Sequence, residues 1–281
     1  MKNPTRIIIY EDPQAMTAAA ELVERLKESF PRHKVQSLTT TPFMRALETD
    51  AAAIAVIPGI FGDDCRYTDL MGGEAGHRKI NDYVARGGIL LTVCAGSYFV
   101  TQKTEWQPHW GPAKERMNMR GLFNGVARGP VGEGRHAAGS HHSYADCTML
   151  PIRYKDANGE WRETDIAYGN GPALYPDESQ PGLEILARYR DVPDAPAAAA
   201  WLKHGKGAVL WLGVLAYMGY KESSYDSSNP VTAKYRNFME ELRGAEAGRD
   251  DFWRTIVARI KEKLAENRRE PPAPDLHRFA P

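Results

Sequence analysis

The chain alternates short apolar runs with longer segments of helical period. Residues 6–10, Arg-Ile-Ile-Ile-Tyr, are apolar and β-branched and predict a strand buried on both faces. A helix follows over residues 11–30: Asp12 is placed to cap it, Pro13 suits its first turn, and Met16, Ala19, Val23, Leu26 and Phe30 fall on one face. Val35–Leu38 predicts a second strand, and Ala52–Pro58 a third that ends in Pro58-Gly59. The stretch EAGHRKINDYVARGG predicts a helix with Ile80, Tyr83 and Val84 inward and Gly87-Gly88 as its stop. The run ILLTV then predicts a strand that delivers Cys94.

Beyond about Trp106 the pattern changes. Residues 111–143 are rich in Gly, Arg and His and have no clear period, which predicts loops and short strands above the sheet. Strands resume at MLPIRY, TDIAY and LEILARY, and residues 197–217 predict a hairpin around His204-Gly205-Lys206-Gly207. NPVTAKYRNFMEELRG predicts a helix. A closing amphipathic helix follows, with Phe252, Ile256, Ile260 and Leu264 recurring every fourth residue, and then a loose tail. Residues 1–222 are expected to form one α/β domain, residues 223–270 helices packed on it, and residues 271–281 the tail.

Strand, helix, strand, strand, helix, strand with continuous apolar strands points to a parallel sheet covered on both faces. Sites in such sheets lie beyond the carboxyl ends of the strands, where Pro58-Gly59 and Cys94 both fall. The sequence Thr-Val-Cys-Ala-Gly around Cys94 suits a sharp strand-to-helix turn that exposes a nucleophile. The backbone of Ala95 and of the Gly59-Ile60 turn would form the oxyanion hole, and a helix start behind the thiol would favour the thiolate. Cysteine is also among the most buried residue types, and from the local sequence a packing role stands beside the catalytic one.

Composition narrows the field. Hydrophobic residues make up 42% of the 281 and charged residues 26%, ordinary for a globular protein. Lys plus Arg (36) equal Asp plus Glu (36), so no net field favours nucleic acid or an anionic membrane. The first apolar run is too short for a signal peptide, and no run approaches the roughly 20 residues of a membrane span. Cys65, Cys94 and Cys147 form no Cys-x-x-Cys pair and no disulfide framework, so a cytoplasmic location is expected.

Residues 56–100 carry more than a fold pattern. Pro58, Gly59, Asp63, Tyr67, Leu70, Gly72, Gly76, Ile80, Tyr83, Val84, Gly87, Gly88 and the Cys94-Ala95-Gly96-x-Tyr98 elbow resemble the N-terminal domain of eukaryotic biotin–protein ligases. That family belongs to the class I glutamine amidotransferase-like group. Ala127–Pro130 and Ala167–Leu174 resemble its Arg-Gly-Pro and Tyr-Asn-Gly-Gly stretches, and the similarity runs from residue 5 to residue 220. The resemblance implies a flavodoxin-like α/β fold with a mostly parallel sheet and helices on both faces. It also implies a pocket at Cys94 to which Asp63, Tyr67, Arg128 and Asn170 contribute.

Three departures bear on activity. Ile60 stands where the family has the second glycine of Pro-Gly-Gly. The amidotransferase His-Pro-Glu falls on Leu215, Ala216 and Tyr217, so the base and its orienter are absent and ordinary glutaminase chemistry is not expected. No ligase catalytic half follows Tyr220, so the chain by itself is not expected to charge biotin. Two readings follow. One is a stand-alone relative with a reactive cysteine pocket that hydrolyses or transfers a small amide or carbonyl group; the other is a non-catalytic metabolite-binding or regulatory module of the same fold. Glu11 is the alternative base, outweighed by a role in the first helix turn. His136, His141 and His142 lack ligand spacing, so no metal and no other cofactor is expected. His77 is expected at the surface. The expected partner is a small molecule or another protein, with no nucleic acid and no membrane.

Overall fold

A computed structural model describes residues 6–11, 19–49, 52–60, 67, 71–107, 112–118, 121–131, 147–219 and 230–269. The amino-terminal half runs β1 (Arg6–Tyr10), α1 (Ala19–Ser29), β2 (Lys34–Leu38), α2 (Thr40–Glu48), β3 (Ile54–Ile57), α3 (Gly73–Ala85) and β4 (Ile89–Val93). The strands pair in the order β2-β1-β3-β4, all parallel, with Ile8 beside Ala55 and Val56 beside Leu91. Pairs joined by a helix bring their carboxyl ends to one edge, and there Ile57 leads into Pro58-Gly59 and Val93 into Cys94.

Helix α2 was not among the expected elements. Its residues Thr40, Thr41 and Pro42 read as a turn, yet proline is tolerated in a first helical turn, and Phe43, Met44, Ala46 and Leu47 supply a buried face. Residues 12–18, including the expected cap at Asp12, lie outside the described part. In α1 the inward side chains are Leu22 and Leu26, followed by Phe30, with Val23 only partly buried.

After Cys94 come α4 (Ala95–Phe99), β5 (Thr101–Trp106), β6 (Lys114–Met117), β7 (Phe123–Gly129), β8 (Thr148–Lys155), β9 (Trp161–Tyr168), β10 (Ala173–Pro176), β11 (Leu183–Tyr189), β12 (Ala197–His204) and β13 (Gly207–Leu212). β13 is the fifth parallel strand, with Leu212 beside Val93. Beyond it the sheet continues β12-β10-β7-β5-β6, antiparallel except between β7 and β5, and β11, β8 and β9 branch from β12. The expected β12–β13 hairpin turns at Gly205, whose φ of 57° suits glycine.

Strand residues alternate between two apolar layers, as a period of two requires. Ile7, Ile9, Val56 and Leu91 pack with α1 and with the closing helices α5 (Pro230–Gly244) and α6 (Glu246–Arg269). Ile8, Tyr10, Ala55 and Leu90 pack with α2, α3 and α4. The result is an α/β molecule with helices on both faces of its parallel strands. Among the described residues, no helix is long and apolar enough to cross a membrane.

Candidate functional site at the Cys94 elbow

Cys94 has φ 52° and ψ −110°, a region that side chains other than glycine rarely adopt. Its backbone N–H donates to Leu212 O at 2.9 Å, which ties the turn to β13. Strain of this kind survives only where the surroundings over-determine it. Gly96 lies so close to β3 that a Cβ there would sit 2.2 Å from Ile57 O. A Cβ on Gly59 would come 3.2 Å from the Cys94 Cβ, and one on Gly171 would come 3.4 Å from its Cα. The elbow therefore fits because three neighbours lack side chains.

A buried polar chain holds the turn from below. Thr92 Oγ1 and Ser97 Oγ are 3.0 Å apart, and Ser97 donates to Leu212 O at 2.7 Å. Trp211 Nε1 donates to Ser97 O at 2.9 Å, and Thr101 donates to the same carbonyl at 2.8 Å. Sequence reasoning missed Ser97 as a positioning residue. Its signal was a serine three residues after the cysteine, inside an otherwise apolar turn.

The thiol donates to Gly169 O at 3.3 Å, a bond only its protonated form makes. Above it stand two buried tyrosines. Tyr168 accepts from Val131 N and donates to Gly171 O at 2.7 Å; Tyr189 donates to Pro172 O at 3.1 Å. Burial pushes both phenols well above their ordinary value, opposed at Tyr168 by the bond from Val131 N and helped at Tyr189 by Tyr168, with Cys94 adding less to each. They stay protonated and cannot take a proton from sulfur near neutral pH. Helix α4 is only five residues long, so little macrodipole builds up behind the thiol.

A sequence model of the family described as "Biotin-protein ligase, N terminal" matches residues 5–280. The chain belongs to that family. An uncharacterized protein of Chlamydia muridarum is 26% identical over 270 residues, which cover 94% of this chain and 98% of the relative. A biotin–protein ligase of Schizosaccharomyces pombe is 28% identical over 170 residues, 58% of this chain but only 25% of the ligase, so the chain spans a quarter of that relative. Among solved structures, a glutamine amidotransferase from Thermotoga maritima overlays 94% of this chain and 97% of its own at a TM-score of 0.45 and 9% identity.

Several of the residues expected at a biotin–protein ligase N-terminal pocket meet at this edge. Gly59 touches Cys94, Ala95 follows it, and Ile60 continues the β3 turn half-buried. Tyr67 is fully buried and donates to Pro58 O at 2.6 Å, so it braces the Gly59 turn from the opposite apolar layer. Asn170 has φ 65°, its carbonyl accepts from Tyr98 Oη at 3.3 Å, and its buried Oδ1 has no partner. Arg128, with 47% of its side chain exposed, makes its contacts with Glu105 at 2.7 Å and the Tyr175 ring at 4.8 Å. Lys103 and then Arg128 hold the Glu105 carboxyl below its ordinary range. Asp63, Cys65, Arg66, His136, His141 and His142 lie outside the described residues.

Leu215 and Tyr217 are buried. Leu215 lies beside the thiol's acceptor, for a Cβ on Gly169 would meet Leu215 Cδ1 at 3.2 Å. An aliphatic side chain thus fills the space beside the carbonyl that accepts from the thiol. Glu11 is exposed at the end of β1, two strands away from β4. One expectation is corrected: His77 is not at the surface. It is 4% exposed and stacks on Phe99 at 4.1 Å, because α3 turns His77 to the same face as Ile80 and Val84. Among the described residues no group of His, Cys, Asp and Glu could hold a metal ion.

Proposed function

We propose that in this member of the family the Cys94 elbow holds a small amide or carbonyl ligand, without the ordinary glutaminase reaction. The observation that carries the reading is the strained backbone at Cys94, φ 52°, kept in a turn closed by Gly59, Gly96 and Gly171. A merely packed thiol needs no such conformation, whereas a nucleophile or ligand-gripping elbow does. The partly buried Asn170, with its unpartnered Oδ1, adds an acceptor suited to an amide N–H.

Against turnover of glutamine stand Leu215 in place of a base and two tyrosines that remain protonated. A thiol without a base is a poor attacking group at neutral pH. The second reading, a non-catalytic regulatory module, is favoured by the bond from the thiol to Gly169 O, a backbone acceptor that is no general base. Ammonia release from free glutamine, with Cys94→Ala as the control, tests the proposal. No release above the control is expected, while limiting iodoacetamide alkylates Cys94 ahead of Cys147. Cysteine-dependent ammonia would overturn the claim about turnover, and slower labelling at Cys94 would remove the elbow pocket.

A further inference from the structure

Two thiols converge on one glycine. Cys94 reaches the Gly169 carbonyl at 3.3 Å. Cys147 precedes β8, and the register that sets Thr148 beside Tyr168 carries Cys147 beside Gly169 one step on. A Cβ on Gly169 would lie 3.3 Å from Cys147 Sγ. Both cysteines are buried in the same apolar layer, 7% and 6% exposed, and both sulfurs lie against Gly169. The third cysteine, Cys65, is 29 positions before Cys94 and outside the described residues.

We propose that Cys147 is the resolving partner of Cys94, and that a hydroperoxide converts the pair into an intramolecular disulfide that closes the elbow pocket. The proposal rests on the reading of Cys94 as open to small ligands. In the first step Cys94 leaves its bond to Gly169 O, and the thiolate fraction so freed attacks one peroxide oxygen. The O–O bond breaks, the Cys94 proton leaves with the departing oxygen as water, and Cys94 becomes a sulfenic acid. In the second step the Cys147 sulfur attacks the Cys94 sulfur. The S–S bond forms, the S–O bond breaks, and the hydroxide takes the Cys147 proton as a second water. Two thiols and one hydrogen peroxide thus give one disulfide and two waters, a two-electron oxidation of the protein.

Gly169 makes the approach feasible. A disulfide needs its Cβ atoms about 3.5–4.5 Å apart, so the side chains must swing together without an obstacle. Any side chain on Gly169 would instead crowd Cys147 Sγ and Leu215 Cδ1, at 3.3 and 3.2 Å. Without a resolving thiol, a sulfenic acid at Cys94 would continue irreversibly to the sulfinic acid.

The test uses the full reduced chain, one equivalent of hydrogen peroxide and dimedone as the sulfenic-acid trap, read by non-reducing peptide mass mapping. The wild type is expected to give a Cys94–Cys147 linked peptide, two hydrogens lighter than the separate peptides. In Cys147→Ser the linked peptide disappears, and the dimedone adduct at Cys94 rises by roughly tenfold because nothing resolves it. Gly169→Ala keeps both thiols and is expected to lower the linked yield several-fold. A wild type that accumulates dimedone adduct or sulfinic acid at Cys94 without any linked peptide overturns the resolving role and leaves the elbow reading standing. If Cys94 reacts with neither peroxide nor iodoacetamide while another cysteine does, both fail.

Discussion

His77 lies one turn into α3, its ring stacked on Phe99 and its Nε2 buried without a partner. Burial pushes its pKa down from 6.5 to about 4, with Glu74 opposing only in part. In the unfolded chain the imidazole takes a proton as the pH falls through 6.5; in the folded chain it resists until about 4. Stability from this residue is therefore complete above pH 6.5 and is lost on acidification between those two values, by about 3 kcal/mol at one pH unit per 1.4 kcal/mol. Urea unfolding of wild type and His77→Phe at several pH values checks this. The difference in stability should shift in favour of the variant from pH 6.5 to 4, and parallel curves would show that His77 is not the titrating group. The residue was legible in sequence, since positions 77, 80 and 84 share one helical face with 83 beside them. His77 was expected at the surface because it lies at a helix beginning, and here the period outweighed that position.

At the scale of elements, the strand-turn-helix unit β4-α4 is specified by close backbone approaches rather than by propensity. Gly96→Ala would drive a Cβ against Ile57 O at 2.2 Å and Ile57 Cγ2 at 2.9 Å, and a carbonyl in a central strand cannot move aside alone. The expected loss is about 2–3 kcal/mol, in the range of overpacked cores. Gly244→Ala is the control: a Cβ there meets nothing within 4 Å, and the change should be neutral or stabilise α5 by up to about 1 kcal/mol. Denaturant midpoints measured on both variants decide the matter, and equal midpoints would show that the elbow is not tightly packed. The block from Val56 to Val100 was readable because a contiguous apolar strand, a glycine stop and a Cys-Ala-Gly turn are local signals. Helix α2 was not, because Thr-Thr-Pro imitates a turn and nine residues hold only about two and a half turns. Thr92 and Ser97 are local neighbours, but the bonds that tie Ser97 to Leu212 and Trp211 cross more than a hundred positions of chain, so no window could have shown that part of the network.

At the scale of the whole molecule, strand order was the least legible property. The insertion of β13 between β4 and β12, and the run from β12 to β6, depend on pairings between distant segments that leave no local mark. The closing helix shows what those pairings support. Phe252, Trp253, Ile256, Val257 and Ile260 are buried in the layer that also contains Cys94, Cys147 and Tyr168. Two of its side chains bond to the amino-terminal half: Trp253 Nε1 donates to Ser29 Oγ at 2.9 Å, and Asn267 Nδ2 donates to Gly87 O at 2.7 Å. Since α6 shares one apolar layer with the elbow, it should unfold together with it rather than detach. Phe252→Ala removes a fully buried ring and is expected to cost about 3–5 kcal/mol. The same loss should appear in two probes, the near-ultraviolet signal of Trp201 and Trp211 and the protection of Cys94 from alkylation in urea. If the variant lost the far-ultraviolet signal of a helix at low urea while Cys94 stayed protected, α6 would be an independent appendage and its contact with the site layer would carry no stability.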